Sequence, residues 1–163
     1  MRRLWIALLS VLVMASITAS FAFAASPHFV STSASGPDSQ GKLAVNFKEA
    51  GLGDNQLINY LASADATATY ACINGGGNHP QAANKVTVSG PVVAPGSFRS
   101  GKNGSISQSL TLSPPDKGAF SCPNGQKLVL AYVQYTNVGI ADLTTPVSES
   151  IPGTFERTLV ALN

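Results

Sequence analysis

The sequence predicts an all-β fold, a single antiparallel β-sandwich with one disulfide. Apolar and polar residues alternate with a period of two over much of the chain, which is the pattern of half-buried strands. Runs of Gly, Asn, Pro and Asp separate these stretches, as expected of turns. We find no stretch of useful length with the period of a helix.

The first clear strand surrounds Leu43, Val45 and Phe47, which point to one side, and it stops at Gly51-Leu52-Gly53-Asp54. The next predicted strand is much longer. Its even-numbered positions are all apolar: Ile58, Tyr60, Ala62, Ala64, Ala66, Ala68, Tyr70 and Cys72. A two-residue hairpin at Ala64-Asp65 would reverse this parity, so one strand is the simplest interpretation. Its length leaves a bulge or a break near Asp65 as the alternative.

Further strands are predicted in seven stretches of the chain. They are residues 28–33, 85–89, 96–99, 105–113, 127–136, 140–143 and 154–162. The stretch 127–136 is apolar on both faces, which indicates a central strand. Asn103-Gly104 is typical of a tight hairpin.

Roughly seven to nine short strands with regular turns favour an immunoglobulin-like sandwich. An open barrel or jelly roll is the alternative. One feature of true immunoglobulin domains is missing, because the only tryptophan, Trp5, lies in the first segment of the chain rather than between the cysteines.

That first segment predicts export. Arg2 and Arg3 precede an apolar run, and Ala22-Phe23-Ala24 fits a cleavage site, so residues 1–24 are interpreted as a signal peptide. An uncleaved anchor is the alternative. Residues 25–163 then form the predicted sandwich domain, secreted or at the cell surface, with no membrane insertion after cleavage.

Charge excludes some partners. Of the ten basic residues, Arg2 and Arg3 leave with the signal, so eight basic residues balance eight acidic ones. A neutral domain with no basic run lacks the surface that binds nucleic acid, so we expect none as a partner. An extracellular protein or a glycan is the expected class.

Two cysteines remain, Cys72 and Cys122, and an even pair in an exported protein predicts a disulfide. A free thiol or half of a metal site is the alternative. The only histidines are His28 and His79, too few to complete a zinc site, so no metal and no cofactor are predicted.

The sequence indicates no catalytic residue. A hydrolase would need His79 as its base, but no nucleophile motif accompanies it. The acidic residues are spread singly along the chain, so nothing indicates a glycosidase pair. The Gly75-Gly76-Gly77 run lacks the context of a phosphate loop.

The glycine-rich segment that follows the long strand is the predicted binding loop, because such loops on rigid strands display recognition groups. The residues assigned to it are Asn74, Asn78, His79, Asn84 and Lys85, with Lys102 and Asn103 expected nearby. A carbohydrate-binding module is a minority alternative, since the tyrosines alternate in core register.

The run Cys72-Ile-Asn-Gly-Gly-Gly-Asn-His-Pro80, continuing to Asn84-Lys85, and the later Cys122-Pro-Asn-Gly-Gln126 resemble a group of small secreted bacterial proteins of unknown function. The resemblance covers roughly residues 47–138. It implies a secreted, disulfide-bearing β-domain, and no catalytic residue follows from it.

Overall fold

A computed structural model describes residues 26–74 and 84–162, and the predicted signal peptide lies outside them. Over these residues the protein is all-β, as predicted. Its strands are β1 (His28–Ser35), β2 (Leu43–Ala50), β3 (Leu57–Asn74), β4 (Lys85–Arg99), β5 (Ile106–Leu112), β6 (Gln126–Asp142), β7 (Val147–Ile151) and β8 (Phe155–Thr158). This part of the chain contains no helix long and apolar enough to cross a membrane.

The strands form two antiparallel sheets. The three-stranded sheet has the order β1-β2-β5, and the five-stranded sheet has the order β4-β3-β6-β7, with β8 pairing β6 beside β7. Every strand pair is antiparallel. The predicted central position of the 127–136 stretch is confirmed, because β6 has neighbours on both sides.

The core lies between the two sheets. Leu43, Val45 and Phe47 of β2 are buried by the period-two alternation that the sequence shows. Across the interface, the rings of Phe47 and Tyr60 have centroids 4.5 Å apart, and Phe98 of β4 completes an aromatic cluster. Aromatic rings contribute large buried areas, so this cluster is a main contact between the layers.

The long strand is confirmed: β3 runs for 18 residues. The irregularity expected near Asp65 lies in the neighbouring strand β6. Between Ser63 and Asp65, the pairing on β6 moves from Gly139 to Thr136, so β6 holds one extra residue. Asn137 in this bulge has a φ of 51°, and its side-chain amide donates to the Asp65 carboxylate over 2.8 Å.

Two predicted strand breaks are wrong. Stretches 85–89 and 96–99 belong to the single strand β4, and stretches 127–136 and 140–142 belong to β6. Gly90, Pro91 and Pro95, residues typical of turns, lie between the two stretches of β4. They are accommodated because β4 is an edge strand, and each of its residues pairs with the unbroken β3.

The predicted hairpin at Asn103-Gly104 is also wrong. The turn there connects β4 in one sheet to β5 in the other, so its flanking strands do not pair. Strand β7 was not predicted, and the predicted stretch 154–162 is extended only over β8. Both strands are short, and a strand of four or five residues gives little periodicity to detect.

Pro91 and Pro95 have a further consequence for β4. At its two ends the strand is bonded to β3 through even-numbered residues, since Cys72 donates to Asn84 and Ser100 donates to Gln56. In the uninterrupted register, odd-numbered positions such as Pro91 and Pro95 therefore face the free edge, and proline has no N–H to present there. The edge therefore lacks two donors. This reduces its ability to pair with a strand of another molecule.

Small side chains on β3 let the sheets approach closely, so we expect Ala66→Leu to destabilise the fold. Ala66 is 2% exposed, and overpacking of such a site costs about 1–3 kcal/mol. Urea unfolding measures the change. Ala119→Leu, the same substitution at an exposed loop residue, is the control and should change stability by less than about 0.5 kcal/mol. Equal unfolding midpoints for the two variants would contradict close packing at Ala66.

Replacing Pro91 and Pro95 together by Thr should restore two edge N–H donors and promote self-association. Light scattering at increasing protein concentration would detect it. A matched change at exposed Ser89 and Ser97 to Thr leaves the edge donors unaltered and should stay at the wild-type mass. Equal self-association of the two double variants would contradict a protective role of the prolines at this edge.

Candidate functional site

One end of the molecule is closed by the disulfide. Cys72, near the end of β3, is bonded to Cys122 in the segment between β5 and β6, with Cα atoms 5.5 Å apart. The predicted pairing is therefore confirmed. It joins the end of one strand to the loop before another, so it restrains the edge of the core rather than its centre.

The segment 113–125 packs over this end of β3. The Tyr70 hydroxyl donates to the Pro115 carbonyl over 2.8 Å, and the Lys117 ammonium donates to the Phe120 carbonyl over 2.8 Å. Burial raises the pKa of Tyr70, and the negative charge of Asp116 adds to the shift. The tyrosine therefore stays protonated and remains a donor.

The predicted binding loop begins and ends here. Exposed Asn74 is the last residue of β3, and exposed Lys85 is the first of β4. The Cys72 N–H donates to the Asn84 carbonyl over 3.1 Å, and the Asn84 amide reaches Gln126 at 3.5 Å. These contacts bring both ends of the loop beside the disulfide. The other two assigned residues, Asn78 and His79, lie outside the described residues.

Lys102 and Asn103 do not join this group. They lie between β4 and β5, at the opposite end of β4, and fifteen residues of extended chain span roughly 45 Å. Their loop packs on residues 52–56, where the Leu52 N–H donates to the Gly104 carbonyl over 3.0 Å. The Asn103 side-chain oxygen accepts from the Ser105 hydroxyl over 2.9 Å, which is an ordinary turn contact.

The structure also brings together three groups that the sequence interpretation missed. Glu49 of β2 and Asp142 of β6 are 0% and 1% exposed, and Tyr60 of β3 lies between the sheets with them. The Tyr60 hydroxyl donates to Glu49 Oε2 over 2.7 Å. Asp142 Oδ1 accepts from the N–H groups of Thr144 and Thr145 over 2.6 and 3.1 Å, and its Oδ2 accepts from the Thr145 hydroxyl.

A sequence signal for this cluster did exist. Glu49 continues the parity of Leu43, Val45 and Phe47 along β2. The alternation that predicts this strand therefore also implies that the Glu49 side chain points into the core. Acidic residues are spread singly along the chain, but two of them are neighbours in space. What the sequence did not show is the partner, Asp142, which is far away along the chain.

The surroundings of Glu49 and Tyr60 raise the pKa of both groups. Burial raises the pKa of Glu49; the hydrogen bond from Tyr60 opposes this, while the negative charge of Asp142 adds to the increase. The pKa of Tyr60 is raised by burial first and then by its bond to Glu49. The buried tyrosine therefore remains a neutral donor to the glutamate.

An apolar groove lies beside this cluster. It has a volume of about 330 Å³ and is lined by Pro27, Gly51, Leu52, Gln56, Leu57, Ile58, Thr144 and Thr145. The lining includes the two threonines that bind Asp142, but neither carboxyl group is exposed in it. Among residues 26–74 and 84–162, no three His, Cys, Asp or Glu side chains are grouped as metal ligands.

Removal of the disulfide should destabilise the protein strongly. The cysteines are 50 residues apart, and removing a crosslink that closes a loop of that size lowers the free energy of unfolding by about 4 kcal/mol in the chain-entropy model. We expect the double variant Cys72→Ala/Cys122→Ala to unfold at correspondingly lower urea concentration. Wild-type protein treated with reductant is the control and should shift in the same direction. An unchanged midpoint in both would show that the crosslink contributes no stability.

Comparison with protein families, with characterised proteins and with solved structures found no significant match for this chain.

Proposed function

We propose that the protein is a secreted or cell-surface module that binds a partner or plays a structural role without catalysis. The observation that carries the proposal is the disulfide-anchored base of the loop between β3 and β4. Asn74, Asn84 and Lys85 stand there on a two-sheet framework, next to Gln126 of β6. Amide and ammonium groups on a fixed base are suited to hydrogen bonding with a ligand.

Export is part of the same proposal. The first 24 residues have the charged end, apolar run and small-residue cleavage site of a signal peptide. The Cys72–Cys122 disulfide supports an oxidising environment, where such bonds persist. The resemblance to small secreted bacterial proteins points the same way.

An immunoglobulin-like architecture is the finer fold proposal, and the strand order supports it. If β1 to β7 are named A, B, C, C′, E, F and G, the sheets become A-B-E and C′-C-F-G. Immunoglobulin-type sandwiches place these strands in the same neighbourhoods. The disulfide differs from theirs, because it joins strand C to the segment before F rather than B to F.

We propose an extracellular protein or a glycan as the partner, with nucleic acid disfavoured by the zero net charge left after signal removal. Two of the four tyrosines are buried and so count against a carbohydrate-binding module. Tyr60 and Tyr135 are 1% and 0% exposed, so neither offers a stacking surface for a sugar. A small hydrolase using His79 is the competing proposal.

Replacing Asn78, His79 and Asn84 by Ala should leave folding nearly intact and abolish partner binding. The measurement is binding of the purified protein to arrays of glycans, cell-wall fragments and extracellular proteins, followed by calorimetry with any binder found. Lys102→Ala/Asn103→Ala is the matched control, because those residues lie at the other end of β4, and it should bind as wild type. If the loop variant binds normally, this loop is not the site.

Measurement of substrate turnover distinguishes the hydrolase alternative from the binding proposal. It requires hydrolysis of ester or glycoside substrates that is lost in His79→Ala. The binding proposal expects no turnover by either protein under conditions in which the ligand binds.

A further inference from the structure

We propose that Glu49 and Asp142 share a single proton and so form a pH-sensitive clasp between the two sheets. Glu49 belongs to the three-stranded sheet and Asp142 to the five-stranded sheet. Asp142 pairs with Tyr60 across β6 and β3, and the Tyr60 hydroxyl reaches Glu49, so both buried carboxyl groups lie beside this tyrosine, at the end of β3 opposite the disulfide. This device is independent of the proposed binding loop.

One buried carboxyl oxygen of Glu49 lacks a hydrogen-bond partner among the described residues. Glu49 Oε2 accepts the Tyr60 hydroxyl, while Glu49 Oε1 is buried and has no hydrogen-bond partner among the described residues. A carboxylate oxygen buried in this way costs free energy unless it is protonated or paired. A proton on Oε1 turns it into a donor, and the adjacent Asp142 carboxylate is an acceptor. One proton therefore satisfies the orphaned atom and removes one of two buried like charges.

The contacts decide which residue carries the proton. Both oxygens of Asp142 already accept hydrogen bonds, two from backbone N–H groups and one from a hydroxyl, so this side chain acts as an acceptor. Glu49 accepts one bond, from Tyr60, and a protonated carboxyl group can still accept it through Oε2. The shared proton therefore lies on Glu49 Oε1, which donates to Asp142.

Few other ionisable groups face Glu49. Tyr60 lies on β3, Asp142 on β6, and His28 on β1 contributes a weaker charge effect that opposes the increase in the pKa of Glu49. The paired residue on β5 is Ile106, which carries no charge. A bound cation is less favourable than a proton, since the cluster offers two carboxyl groups where calcium needs about six or more oxygen ligands.

The raised pKa of Glu49 determines the direction in which the stability of the fold changes with pH. An acid whose folded pKa lies above its unfolded value, here 4.5, binds more protons in the folded state. Its stabilising effect is complete below the unfolded pKa and is lost as pH rises through the folded pKa. The exposed Asp38 and Glu156 have lowered pKa values, so their effects are lost only in stronger acid. The shared proton therefore stabilises the contact between the sheets in mild acid, and this stabilisation is lost as the pH rises.

The test compares thermal unfolding of the whole protein at pH 5 and pH 8. We expect the wild-type melting temperature to fall by roughly 3–8 °C over this range, because the folded protein loses the proton that the raised pKa of Glu49 holds. Glu49→Gln keeps the acceptor for Tyr60 and donates to Asp142 at every pH, so its melting temperature should not show this fall. Glu149→Gln, at an exposed position on β7, is the matched control and should keep the wild-type fall.

A second measurement needs no variant. Carbon-13 NMR of the wild-type glutamate carboxyl groups should show one that titrates well above the usual range. An ordinary titration of Glu49, or a Glu49→Gln variant with the full wild-type fall, would overturn the proposal. A rise in melting temperature with added calcium that chelator reverses would overturn it in favour of a cation site.

Discussion

Strand β3 is the element on which the rest of the structure depends. It pairs with β4 on one side and with β6 on the other along almost its entire length. Its inner face carries the small side chains of Ala62, Ala64 and Ala66, which let the second sheet lie close enough to exclude water from the core. Larger side chains at these three positions would hold the two layers further apart.

The two ends of this strand serve different purposes. At its C-terminal end, the disulfide and the segment 113–125 restrain the chain and hold the base of the loop between β3 and β4. At its other end, Tyr60 links to Glu49 across the sheets through a polar contact inside an apolar core. Burying such polar groups is unfavourable unless each finds a partner, so the cluster imposes a strict geometry on the packing of the sheets there.

Particular residues show how far prediction from the sequence could go. The parity of Leu43, Val45 and Phe47 and the long alternation from Ile58 determined two strands and much of the core, because side chains alternate strictly in extended chain. The same reasoning failed at Gly90-Pro91, where turn-forming residues lie inside a strand. A local pattern does not show that β4 is an edge strand, and only an edge tolerates proline in this way.

The sequence by itself determined the all-β class and the disulfide partners, since they follow from local alternation and from the cysteine count. The same alternation implies the inward position of Glu49, which the sequence interpretation missed. Tertiary structure alone decided that Asp142 lies against Glu49 and that Lys102 and Asn103 are remote from Asn74 and Asn84. These relations depend on which strands become neighbours and on the direction in which each one runs. Strand pairing over long chain separations leaves no local trace in the sequence, because it arises from the packing of whole sheets.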